Sequence, residues 1–112
     1  MANKSLKTLV ISILEDKQAE EIKIYDVKGK SPLTDFVIIA SANNFRKLEA
    51  ITNQLRKEFI HHPKYKVHHI EGKPESGWMV MDLYDVVVHL FDHANREKMK
   101  LDQILESQVN PK

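Results

Sequence analysis

The apolar residues change period several times along the chain, and each change marks an element. Leu6, Leu9, Val10, Ile13 and Leu14 recur at helical spacing behind Ser5, which predicts a first helix over Leu6 to Lys17 with one stripe turned inward. From Glu20 to Val27 the pattern alternates, with Ile22 and Ile24 on one side and Lys23 and Tyr25 on the other, as in a half-exposed strand. Lys28 to Pro32 reads as a turn, because Gly29 frees the backbone and Pro32 has no N–H to give a ladder. Asp35 to Ser41 holds a continuous apolar run, the pattern of a strand buried on both faces and so of a sheet's spine.

Asn43 or Asn44 is placed to cap a long second helix whose Phe45, Leu48, Ile51, Leu55 and Phe59 form an apolar stripe, ending near His61 and His62 before Pro63. A third strand is expected over Tyr65 to Glu71, a loop over Gly72 to Gly77, two more strands over Trp78 to Leu83 and Val86 to Phe91, and a last helix over Ala94 to Glu106. Met99, Ile104 and Leu105 are that helix's inward candidates. The order α-β-β-α-β-β-β-α, without repeat or linker, predicts an α/β fold: one domain over residues 1–112 with a mixed sheet of about five strands flanked by helices.

The last two strands carry the functional information. With Tyr84-Asp85 as a two-residue turn, Leu83 faces Val86, Met81 faces Val88 and Met79 faces Leu90, so one face of the hairpin is wholly apolar. The other face presents Trp78, Val80, Asp82, Val87, His89 and Phe91. A large aromatic among a few polar groups is the composition of a recognition surface. The same residues also suit a face covered by a helix, with Asp82 and His89 satisfying one another.

Composition narrows the partners. The 112 residues sum to a charge of +1 and include no cysteine, which excludes disulfide scaffolds, thiolate zinc sites and cysteine nucleophiles. Near-neutrality argues for little direct nucleic-acid contact, since such binding rests on neutralised phosphates. The neutrality hides an asymmetry: residues 71–106 carry a net −4 and the remainder a net +5. An acidic region beside an aromatic patch suits a basic protein partner, although solvated helix faces give the same count. No apolar run reaches the ~20 residues that span a bilayer and no targeting pattern opens the chain, so a cytoplasmic protein without membrane contact is expected.

Chemistry finds little support. Three glycines at 29, 72 and 77 make no phosphate loop, no serine has a nucleophile-elbow context, and the histidines at 61, 62, 68, 69, 89 and 93 lack metal-ligand spacing on one element. No catalytic residue, metal or cofactor is implied. Asp82 and Asp85 keep one alternative open, a small nucleotide-binding or nucleotidyltransferase-type protein using them as a paired acid site, although Asp is common in turns for backbone reasons.

Three ordered stretches resemble the ribosomal silencing factor family, also called RsfS or Iojap-like. They are Ser31-Pro-Leu-Thr-Asp35 with Phe-Val-Ile-Ile-Ala-Ser41, Arg46-Lys-Leu-Glu-Ala-Ile51, and Glu71-Gly72 ahead of Trp78-Met-Val-Met-Asp82 and Asp85-Val-Val-Val-His-Leu-Phe91. The resemblance implies a fold similar to nucleotidyltransferases without their catalytic acids. It also implies a non-enzymatic translational repressor that binds the large ribosomal subunit through large-subunit ribosomal protein fourteen. Such a factor blocks joining of the small subunit and lowers translation under nutrient limitation. Carried to matching positions, Trp78, Asp82, Asp85, His89 and Arg96 become partner-binding candidates, with Tyr84 and Phe91 added from the face pattern. A homodimer through the same patch is the other association compatible with these residues. The sequence departs from the family pattern at Ala42, where Gly is usual, and at Met99 and Leu105, where Tyr and Trp are usual.

Overall fold

Ser5 accepts a hydrogen bond from the Thr8 N–H at 3.2 Å, and this cap starts helix α1 over Leu6–Asp16. The computed structural model describes residues 5–109. Strand β1 (Glu20–Asp26) and strand β2 (Phe36–Ala42) follow, then helix α2 (Phe45–Phe59), β3 (His69–Lys73), a 3-10 turn at Pro74–Ser76, β4 (Trp78–Asp82) and β5 (Val86–Asp92). Helices α3 (His93–Met99) and α4 (Leu101–Val109) end it. The expected mixed sheet is present, with five strands in the order β1-β2-β5-β4-β3. Only β2 and β5 run parallel; the other three pairings are antiparallel. The central strand is therefore β5, with the apolar β2 beside it.

Helices α1 and α2 close one face. Val10, Leu14, Leu48, Ile51, Leu55 and Phe59 meet Ile38, Ala40, Met81, Val88 and Leu90 in the main core, all of them essentially solvent-free. Asn44, the second of the two candidate caps, starts α2 by accepting from the Lys47 N–H at 2.8 Å. The opposite face has a smaller cluster of Tyr25, Val27, Val37, Ile39, Phe91 and Leu105, covered by α4.

Several expectations are corrected. In β1, Tyr25 is buried and Ile24 is exposed, because a bulge between Glu20 and Lys23 shifts the register, with Glu21 at φ 49°. Phe45 is 46% exposed, since it lies in the first turn of α2 beyond the edge of the core. The third strand begins four residues later than expected, at His69, and runs past Gly72, whose φ of 98° and close approach to the Trp78 carbonyl leave no room for a Cβ. The expected single last helix is broken at Lys100, which adopts φ 55° and ends α3. Met99 and Ile104 consequently face solvent, and Leu105 alone of the three reaches the core.

Candidate functional site

The hairpin of β4 and β5 has the register expected from its alternation, Met79 opposite Leu90 and Met81 opposite Val88, with Leu83 donating to the Val86 carbonyl at 2.9 Å. Its apolar face lies wholly in the main core. The other face is only half roofed. Helix α4 contacts β1, so the part over β5, β4 and β3 keeps Trp78, Val80, Asp82, Val87 and His89 partly open.

An aromatic ladder organises this open half. The Trp78 indole stacks on the Phe91 ring, with centroids 5.2 Å apart and planes at 23°, and its Nε1–H donates to His89 Nδ1 at 3.1 Å. The His89 ring lies nearly parallel to Phe91, 6.2 Å away. Burial pushes His89 down to about 4, so at neutral pH it is uncharged, accepting at Nδ1 from Trp78. The hydrogen bond and the stack fix the indole orientation, and fixed aromatics lose little entropy on contact.

Asp82 and His89 do not satisfy one another. Asp82 Oδ1 instead accepts the Tyr84 N–H at 2.9 Å, holding a turn in which Tyr84 has φ 71°. The half-exposed Tyr84 ring packs on His68, its hydroxyl 3.0 Å from His68 Nδ1. Asp85 is exposed and lines a separate hollow with Lys7, Lys28 and Phe36, whereas Asp82 belongs to the Trp78 face. The two acids thus serve different surfaces, and among the described residues no group of three or more His, Asp or Glu has metal-binding geometry.

Two expected surface residues are corrected to supporting roles. Phe91 is completely buried, because it closes the small core beneath Trp78. Arg96 is also buried. It pairs side-on with Asp102, both N···O distances 3.0 Å, while its Nη1 donates to the Glu21 carbonyl at 2.7 Å and to Ser41 Oγ at 2.8 Å. Tyr25 joins this network by donating to Asp102 at 2.7 Å and to Glu106 at 3.2 Å. Burial and the neighbouring Asp102 carboxylate raise the Tyr25 hydroxyl above its ordinary value. Burial alone would raise Asp102, but the bonds from Arg96 and Tyr25 hold it below the usual range. The Lys100 break brings Asp102 back toward Arg96, so this network locks α4 over β1 and leaves the rest of the face open. No sequence motif signals it, since Tyr25 and Asp102 lie 77 residues apart.

Beside Trp78 the open face dips into a hollow of about 430 Å³ lined by Glu71, Gly72, Ser76, Trp78, Val80 and Asn95. An apolar wall with one carboxylate suits a cationic side chain, whose stem lies on the aromatic while its head meets the acid.

A small mixed-sheet domain whose open half-face presents an ordered indole above a buried aromatic base belongs to the class of α/β binding modules. The comparisons make the assignment specific. The family model described as "Ribosomal silencing factor during starvation" matches residues 2–111, and the chain belongs to that family. A ribosomal silencing factor of Halalkalibacterium halodurans is 31% identical over 104 residues, covering 93% of this chain and 88% of the relative. The mouse protein called "Mitochondrial assembly of ribosomal large subunit protein 1" is 29% identical over 101 residues, 86% of this chain and 43% of the relative. A crystal structure from Chromobacterium violaceum superposes with a TM-score of 0.82 at 25% identity, covering 94% of this chain and 87% of that one.

Proposed function

We propose that this protein represses translation by binding the large ribosomal subunit through large-subunit ribosomal protein fourteen and obstructing the small subunit. Membership in the silencing-factor family supports the ribosome as target, and the name of the mouse relative points to the large subunit. The observation that carries the docking surface is the open half-face centred on Trp78, with its indole fixed by His89 and Phe91. Glu71 in the adjoining hollow adds the negative charge that a basic ribosomal protein would meet.

The mechanism requires occupancy and no turnover. Principal extents of 38 × 35 × 23 Å make even the thinnest dimension wide enough to hold two subunit surfaces apart. A standard interface of ~1,200–2,000 Å² with one buried indole reaches nanomolar affinity, about −12 kcal/mol. Repression then follows mass action and rises with the protein's concentration. The test is a subunit-joining assay with cosedimentation. Binding to isolated large subunits, with fewer joined ribosomes as protein is added, is the expected result; binding to neither subunit would end the reading.

A further inference from the structure

The side chains around the hollow beside Trp78 have hydrogen-bond acceptors to offer and no donors. The lining comes from Glu71 and Gly72 on β3, Ser76 on the 3-10 turn, Trp78 and Val80 on β4, and Asn95 on α3. Every side-chain hydrogen that these residues could donate is already committed inside the protein. The Trp78 indole N–H goes to His89 at 3.1 Å, and the Ser76 hydroxyl to the Lys73 carbonyl at 2.7 Å. Both protons of the Asn95 amide are used as well, on the Ser76 carbonyl at 3.2 Å and on Asp92 Oδ1 at 3.0 Å. Those two partners can only accept, so the orientation of the amide is fixed and its oxygen is the group left over. What remains is the Glu71 carboxylate, Asn95 Oδ1 and the Ser76 oxygen, acceptors all.

The lining is set before any partner arrives. Asp92 donates its N–H to the Gly77 carbonyl at 2.9 Å, and Gly77, at φ 80°, leaves no room for a Cβ against Asp92 and Asn95. The 3-10 turn is thereby pinned to the start of α3. Asp92 also caps that helix by accepting the Asn95 N–H at 2.8 Å, so the positive helix end does not oppose a bound cation. Among the described residues no lysine or arginine lines the hollow; Lys73, cross-strand from Trp78, lines a different one against α2. The ion-pair neighbour of Glu71 is the exposed His69 at 3.3 Å, whose ring carries no charge unless protonated.

We infer that this hollow is a socket for one arginine side chain of the docking partner, its guanidinium against the indole and its N–H groups shared between Glu71 and Asn95. The inference rests on docking through the Trp78 face and names what that face reads. Arginine supplies donors only, carries positive charge and has a flat face, and so meets every feature of the lining. Lysine brings charge and donors on a compact, strongly hydrated head without the planar face. A carboxylate side chain would repel Glu71, and a neutral one would leave that carboxylate unpaired once the interface closes. A hollow of about 430 Å³ is near the small end of ligand pockets and takes one side chain rather than a folded segment.

The experiment is an NMR titration of the isotope-labelled full chain with N-acetylarginine amide, beside its lysine and citrulline analogues. Trp78 is the only tryptophan in the sequence, so its indole N–H gives one signal that reports on the hollow. Saturable shifts of that signal and of the Asn95 side-chain amide are expected at ~1–10 mM arginine analogue, the range of a single side chain without the rest of an interface. Citrulline, which keeps the shape of the guanidinium without its charge, should give no saturable shift, and lysine a weaker one. Glu71→Gln should abolish the arginine response and weaken cosedimentation with large subunits by about tenfold. Glu75→Gln, an acid of the same turn outside the hollow, should change neither. Equal responses to arginine and citrulline, a stronger response to lysine, shifts that never saturate, or a Glu71→Gln protein with unaltered subunit affinity would each overturn the inference. If Trp78→Ala weakens subunit binding and Glu71→Gln does not, the docking face stands and the socket falls. A chain that binds no large subunit ends the docking reading, and the titration still decides what the hollow takes.

Discussion

The two faces of this sheet are built from the same strand alternation but finished differently. Beneath α1 and α2 the buried positions are apolar with the exception of Thr52, and the helices reach across β2, β5 and β4. On the other side α4 is tied over β1 by Arg96, Asp102 and Tyr25, and the strip from β5 to β3 is left to Trp78, Val80, Asp82, Val87 and His89. The closed face is held by packing, which tolerates no lost volume. The half-open face depends on a polar clamp and an aromatic ladder. One short hairpin thus supplies core from Val86, Val88 and Leu90 along β5 and the partly open strip from Val87 and His89 between them.

That contrast can be broken at either face. The largest stability effect is expected at the clamp: Arg96→Ala leaves Asp102 without its charge partner and should cost about 3–5 kcal/mol in urea denaturation, with α4 detaching first in hydrogen exchange. On the closed face Leu55→Ala should cost about 3 kcal/mol, by lost transfer energy and the cavity left behind, without changing any surface.

Acid sharpens the comparison at His89. The unfolded chain protonates this ring near its ordinary 6.5, whereas the folded chain does so only near 4, because burial penalises the cation. Stability from this residue is therefore complete above pH 6.5 and lost as pH falls toward 4, by at most about 3 kcal/mol. Replacing His89 by Gln should flatten urea midpoints across that window. The smallest effect belongs to Phe45, which the hydrophobic stripe assigns to the core: Phe45→Ser should change stability by less than about 0.5 kcal/mol, as at other exposed positions.

Local patterning made much of this architecture legible, and the misses share a cause. Ser5 and Asn44 cap helices because their side chains bond N–H groups three residues on, an interaction contained within the sequence window. The hairpin register followed from period-two alternation together with a two-residue turn at Tyr84-Asp85. By contrast, the burial of Tyr25 depends on a bulge, and the break at Lys100 has neither Gly nor Pro to announce it. Arg96 and Phe91 carry the composition of surface and patch residues respectively, but tertiary partners from β1, β2 and α4 enclose them. The open strip was visible as a mixed face; which half of it α4 would cover was not, because that depends on the clamp linking Tyr25, Arg96 and Asp102.

The open half-face is the centre of the functional account, and affinity for isolated large subunits of Trp78→Ala, with fold checked by circular dichroism, tests it most directly. Trp78 is partly open and sits above an intact Phe91, so the variant should stay folded. If the indole is the anchor, its removal weakens binding by about 30- to 1,000-fold, or roughly 2–4 kcal/mol. A folded Trp78→Ala protein that cosediments with unaltered affinity would contradict the account, and Trp78 would then be a roof for Phe91 and nothing more.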